Sequence, residues 1–234
     1  MTARSVVLSV LLGAHPARAT AAELVRLTAG FDIKESTLRV ALTRMVAGGD
    51  LVRAPDGYRL SERLLARQRR QDLALRPEVL DWNGDWLTVV VTAVGAGPRA
   101  RGELRTAMHN SRFGELREGV WLRPDNLGDC VPDQVTDRVR VLRARDGRPG
   151  ELARQLWDLP EWSAAGELLL AEMSAAQDVP ARFECAAAMV RLLLTDPVLP
   201  AELLPADWPG ERLREAYTDF AGHLAARGQL TEAR

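Results

Sequence analysis

The residues best suited to chemistry in this chain lie in one short stretch, KESTLRVALTRM, Lys34–Met45. It holds Ser36, Thr37, Arg39, Val40, Thr43 and Arg44. Arginine pairs with guanine O6 and N7, Ser and Thr hydroxyls contact bases or phosphates, and valine touches a thymine methyl. If the stretch is a helix, each residue advances about 100°. Leu38, Ala41, Leu42 and Met45 then form one narrow apolar seam. Ser36, Val40 and Thr43 lie opposite it, flanked by Arg39 and Arg44. Such a face suits either plain solvation or a DNA reader. Arg53, Arg59 and Arg4 are the accompanying phosphate-contact candidates, whereas Arg67, Arg69 and Arg70 fit a backbone contact or a solvated helix equally well.

Catalytic patterns are sparse. His15, His109 and His223 are isolated, and no HxxxH, HExxH or Walker A pattern occurs. Asp81 and Asp85 straddle WNG at a spacing that would allow paired carboxylates, but a solvated turn capped by Asp81 is the expected reading. Cys130 and Cys185 stand far apart with no CxxC and no flanking His, so reduced thiols are expected, with neither a disulfide framework nor a metal site. The expectation is a protein without catalytic residues, metal or cofactor.

The chain has 234 residues, 47% apolar and 27% charged, which is ordinary globular composition with room for more than one domain. The apolar run Val6–Leu12 is far too short to span a bilayer and lacks a secretory cleavage site, so a cytoplasmic protein without signal peptide or membrane association is expected. The net charge of −1 hides an asymmetry. Residues 1–80 hold 13 Lys/Arg against 8 Asp/Glu, leaving the remainder acidic. Only the first third therefore suits a polyanionic partner.

The elements that must position these residues are legible in outline. A first helix is expected over Ala3–Leu12, striped by Val7, Leu8, Leu11 and Leu12. Thr20 and Glu23 form a capping box for a second helix, buried through Leu24, Val25 and Leu27 and ended by Gly30 in a left-handed turn. The third runs from Glu35 to Ala47 and closes at Gly48-Gly49. Two short strands, Leu51–Arg53 and Tyr58–Leu60, flank a turn with Pro55 and Gly57, and Ser61 caps a basic helix after them. Three helices and a hairpin make a winged helix-turn-helix. Beyond residue 81, strands are expected over Trp86–Val94, Glu118–Pro124 and Arg138–Ala144, with a helix in RARGELRTAMHN. This order suggests a small ferredoxin-like sheet. The rest reads as helices joined by the Pro-rich connector DPVLPAELLPADWPG. The fold class is thus α+β, in three domains: 1–75, 81–146 and an α-helical 149–234.

STLRVALTRMVAGGDLVR, WNGDWLTVVV, RFGELREGVWLRP, LWDL and DPVLPAELLPADWPG together resemble the PaaX family of bacterial repressors of phenylacetic acid degradation. The resemblance spans nearly the whole chain, and its most specific segments are the last connector and GVWLRP. It implies an N-terminal winged helix, a central Cas2-like ferredoxin fold and a helical C-terminal domain. It also implies a homodimer that represses transcription from double-stranded DNA, at an inverted-repeat operator, and is released by an acyl-CoA such as phenylacetyl-CoA. Of the six tryptophans, most are expected in packing. Trp121 and Trp157 are candidates for an aromatic acyl pocket, with Arg112, Arg123 and Arg182 as candidates for CoA phosphates. Two readings stand against the repressor. One is an enzyme, a nuclease or a CoA-thioester-processing protein built on the central domain, although WLTVVVTAV lacks the metal-binding Asp that a Cas2-like nuclease would carry. The other is a protein-interaction scaffold, which the arginines on the third helix disfavour.

Overall fold

The computed structural model describes residues 1–93, 97–128 and 131–229. The architecture is α+β with two antiparallel sheets. The chain divides into two compact units: one holds Met1–Leu75, Leu168–Arg191 and the chain from Glu211, and the other Arg76–Glu167 and Leu192–Gly210.

In the first unit, α1 (Ala3–Gly13) starts at a Thr2–Ser5 capping box and buries Val6, Val7, Leu8, Leu11 and Leu12. Helix α2 (Ala21–Thr28) starts at the expected box: the Thr20 N–H donates to Glu23 Oε2 at 2.6 Å, and the Glu23 N–H to Thr20 Oγ1 at 3.1 Å. Leu24 is fully buried while Val25 and Leu27 are half-buried, and Thr28, buried with its hydroxyl on the Leu24 carbonyl, completes that side. The left-handed residue after α2 is Asp32 (φ 53°), not Gly30, because the chain first makes a 3-10 turn over Ala29–Phe31. Asp tolerates this conformation better than most residues. Helix α3 (Glu35–Ala47) matches its expected bounds, and Gly49 (φ 71°) makes the left-handed turn beyond it.

The wing has three strands. β2 (Leu51–Ala54) and β3 (Gly57–Leu60) pair around Pro55-Asp56, and β1 (Arg18–Ala19) adds to the outer side of β3. Gly57 is a strand residue rather than a turn residue. A Cβ there would sit 2.3 Å from the Ala19 carbonyl oxygen, so its role is close approach to β1. Helix α4 (Glu62–Leu75) follows Ser61, whose buried hydroxyl makes no hydrogen bond, so the expected side-chain cap is absent. Buried Gln68 instead satisfies the other end of α1, donating to the carbonyls of Leu11, Leu12 and Ala14. Arg67, Arg69 and Arg70 are exposed. Residues 168–175, at the end of the helix Leu159–Ala175, with parts of α8 (Val179–Leu193) and α9 (Gly210–Gln229), complete this unit. Phe31 meets the Phe183 ring edge-on at 5.0 Å, Gln71 donates to Tyr217 Oη at 3.2 Å, and Arg214 donates to the Ala74 carbonyl at 3.1 Å.

The second unit is built on β4 (Trp86–Val91), α5 (Pro98–Asn110), β5 (Gly114–Arg117), β6 (Val120–Pro124) and β7 (Val139–Ala144), in sheet order β5-β6-β4-β7. This is ferredoxin-like, with the second crossover helix reduced to a 3-10 segment, Asp133–Arg138. The expected strand Glu118–Pro124 is the second arm of a hairpin that turns at Gly119 (φ 77°), and β5 is the arm the sequence reading missed. Val94, at the end of the first expected strand, and Cys130 lie outside the described residues. The alternation along the strands separates two cores. Leu87, Val89 and Trp121 pack with Leu104 and Met108 of α5. Trp86 and Leu122 pack on the other face with Ala153 of α6 (Pro149–Leu156), Leu159 of α7 (Leu159–Ala175), Leu199 and Leu203. The connector is therefore core: Asp196–Pro200 is buried throughout. The WNG turn is capped by Asn83, which accepts the Asp85 N–H, not by Asp81. The Asp85 carboxylate pairs with Arg145, whose hydrogen bond holds its pKa below the usual carboxylate value.

Candidate nucleic-acid interface

Helix α3 is anchored from beneath. Leu38, Leu42 and Met45 are at most 2% exposed and sit in the same core as Val7, Leu11, Leu24 and Leu60. Burying these three on one seam fixes which side chains face outward. Ser36, Thr37, Arg39, Val40, Thr43 and Arg44 are all exposed, and Val40 is an aliphatic side chain 50% in solvent.

Residues three and four apart share a ridge of the helix, and the two exposed ridges differ. Ser36, Thr37, Val40 and Arg44 line an open groove of about 900 Å³, with Arg4 of α1 and Arg63 of α4 on its rim. The neighbouring ridge closes on itself. Arg39 donates to Glu35 Oε1 at 2.6 and 2.8 Å, and Thr43 Oγ1 donates to the Arg39 carbonyl at 3.1 Å. Arg39 and Thr43 are therefore exposed but stand apart from the groove.

The rim arginines share an acid that the sequence reading passed over. Asp50, 6% exposed, accepts Arg4 Nε at 2.9 Å on one carboxylate oxygen and Arg63 Nη2 at 2.7 Å on the other. GGDL carried no local sign that the acid turns inward; once it is buried, a carboxylate needs cations. On the wing, the Arg53 guanidinium lies 5.7 Å from the Tyr58 ring centre. Arg59 reaches Glu62 at 3.6 Å and stands directly opposite exposed Arg18 in the β1–β3 register. Like charges so placed repel, and a bound phosphate would relieve them. Arg18 was missed because two residues carry no strand periodicity.

The acyl-pocket candidates do not converge. Trp121 and Arg123 face the α5 side of the second sheet: Trp121 is 1% exposed against the His109 ring, and the Arg123 guanidinium lies 5.0 Å from the Phe113 ring centre. Trp157 is on the opposite side, stacked on Trp86. Arg112, in a left-handed conformation (φ 63°), donates to the Asp196 carbonyl. Arg182 is an exposed residue of the other unit. The histidines are equally scattered: His15 meets Asp72 at 3.1 Å, His223 meets the Asp219 carbonyl, and burial lowers the pKa of His109.

Models of three parts of one family match in succession: PaaX-like protein over residues 2–64, the PaaX protein central Cas2-like domain over 80–154, and the PaaX-like protein C-terminal domain over 157–231. The chain belongs to the PaaX family. A solved structure, that of the uncharacterized protein Rv0674 from Mycobacterium tuberculosis, is 65% identical over 99% of both chains and superposes with a TM-score of 0.89. Among curated proteins none matches. PaaX membership makes this a PaaX-like transcription regulator. Among the described residues no helix is long and apolar enough to cross a membrane.

Proposed function

We propose that the chain is a sequence-specific repressor of the PaaX type, with α3 as the helix that enters the major groove. The observation that carries this reading is the α3 groove. A helix with a fully buried seam presents Ser36, Thr37, Val40 and Arg44 together along a concavity rimmed by arginines. A B-DNA major groove, about 12 Å wide, admits one such helix, and hydroxyl, methyl and guanidinium groups are its complement. Arg53 and Arg59 of the wing, with Arg18 beside them, and Arg4 supply phosphate contacts. One winged helix covers too few base pairs for strong specificity, so the working form is a homodimer on an inverted-repeat operator.

Family membership supports release by an acyl-CoA such as phenylacetyl-CoA. Such a ligand lowers DNA affinity only by binding the non-DNA-binding arrangement more tightly.

Selection of duplexes from a random library, followed by anisotropy titration with and without an acyl-CoA panel, tests both parts. Enrichment of a palindromic sequence that one acyl-CoA displaces is the expected result. Enrichment of no sequence removes the repressor reading. Enrichment with no response to any acyl-CoA, and no heat of binding by calorimetry, removes the effector class alone.

A further inference from the structure

The Arg4–Asp50–Arg63 cluster does more than tie helices together. Asp50 is fixed at the junction of α3 and β2: its N–H donates to the Met45 carbonyl at 2.9 Å, and its carbonyl accepts the Ser61 N–H at 3.0 Å. Its side chain is 8% exposed, whereas those of Arg4 and Arg63 are 60% and 68% exposed. A purely structural network would bury its cations with its anion. Here the anion is covered and both guanidinium groups are left in solvent at the groove. Each arginine brings five N–H donors. Asp50 engages those on Nε and Nη2 of Arg4, and Nη2 of Arg63. Donors remain on both, and two arginines against one carboxylate leave a local excess of one positive charge.

We propose that Asp50 is a positioning residue that holds Arg4 and Arg63 as a two-pronged clamp on a single backbone phosphate at the edge of the α3 groove. The proposal rests on the reading of α3 as the DNA reader and names the contact that sets its register. Guanidinium groups grip phosphate oxygens through paired N–H donors. An arginine already held in place loses less side-chain freedom when it does so. Arg4 comes from the first turn of α1 and Arg63 from the first turn of α4. A phosphate seated between them would fix two helices against the DNA backbone beside the base-reading ridge.

The clamp makes a prediction opposite to that of simple charge counting. Asp50→Asn removes a negative charge from a DNA-facing surface, so Coulomb attraction alone would tighten binding. Loss of positioning would instead weaken it, because an amide accepts through only one of its two terminal atoms and cannot hold both arginines. The assay is anisotropy titration of the full-length protein against a duplex it selects from a random library, across a salt series. Asp50→Asn is expected to bind about tenfold more weakly than wild type. Arg4→Ala with Arg63→Ala is expected to lower the salt slope by about one unit, the loss of one phosphate. Wild-type or tighter binding by Asp50→Asn overturns the positioning role, and a slope loss of about two units in the double variant overturns the shared phosphate. Should circular dichroism show Asp50→Asn or the double variant unfolded, Arg4→Ala and Arg63→Ala taken singly, each of which leaves Asp50 one cation, still decide: slope losses that sum to about one unit fit the shared phosphate, and a loss of about one unit in each overturns it. If the wild-type protein selects no duplex, the DNA reading itself falls and takes the clamp with it, a result separate from either variant outcome.

Discussion

Arg39 and Arg44 have the same chemistry on the same helix, yet their surroundings differ, and replacing each by alanine separates their proposed roles. Arg44 lines the groove with Ser36 and Val40. A bidentate contact from it to a guanine is worth about 1–3 kcal/mol of discrimination, so Arg44→Ala should weaken operator binding roughly 5- to 150-fold and relax preference at one base position. Arg39 must first leave Glu35, to which it is joined by two hydrogen bonds. Both side chains are more than half exposed, so the pair itself is worth only about 0–1 kcal/mol. That is still enough to offset much of a base contact. Arg39→Ala should therefore cost less than about 1 kcal/mol, without a base-specific signature. Anisotropy titrations at fixed salt, against the operator and a set of duplexes each altered at one base pair, measure both the loss and its position. If Arg39→Ala erases preference at one base pair while Arg44→Ala leaves all preferences intact, assigning roles from the two ridges is wrong.

Leu38→Ala opens a cavity beneath α3 at a fully buried site and should destabilise the winged helix by about 2–5 kcal/mol in urea titration. Gly57→Ala drives a methyl group into the β1 backbone and should cost roughly 1–3 kcal/mol, read as a lower unfolding midpoint. Thr20→Ala removes the hydroxyl that accepts the Glu23 N–H and should cost about 1 kcal/mol at neutral pH. Hydrogen bonding from the Thr20 backbone N–H, then its hydroxyl, lowers the pKa of Glu23 below its usual value of 4.5. A depressed carboxylate stabilises the fold above its unfolded pKa and loses that contribution as pH falls through the folded value. The difference between wild type and Glu23→Gln should thus shrink below about pH 4.5, and stability curves that stay parallel down to pH 3 would contradict the carboxylate half of the box. Arg53→Ala should weaken operator and scrambled duplex alike and reduce the salt slope by about one unit.

The features legible in the sequence are those whose cause is local. Thr20 and Glu23 lie three apart because a capping box closes at that spacing, and Gly49 takes a positive φ that most residues avoid. The seam of Leu38, Leu42 and Met45 is a property of helical periodicity, so the outward face of α3 followed from it. What stayed hidden depends on distant partners. β1 is a strand only because β3 lies beside it and Gly57 lets it approach. Ser61 stands where a cap belongs, but its hydroxyl is covered. Of the β5–β6 hairpin only the β6 arm was legible, because the four residues of β5 become a strand through pairing with β6 beyond the left-handed turn at Gly119. The acyl-pocket residues were chosen by type, and type does not say which face of a sheet a tryptophan occupies. Alternation along β6 places Trp121 and Leu122 on opposite faces, but the position of Trp157 comes from packing on Trp86.

The chain enters the unit that holds α3 three separate times, so the winged helix is not an excisable cassette. Cutting after Leu75 would leave the Ala74 carbonyl without Arg214, Phe31 without Phe183 and Gln71 without Tyr217. A gene fragment encoding the winged helix alone would thus lack part of its own interior. Recombination that exchanged operator preference between relatives would keep this interior intact by replacing the exposed residues of α3 and the wing, not by trading the whole N-terminal segment. Reporter fusions and truncations face the same constraint. A label attached near residue 75 interrupts no helix of the second unit, but a stop codon there removes a wall of the first.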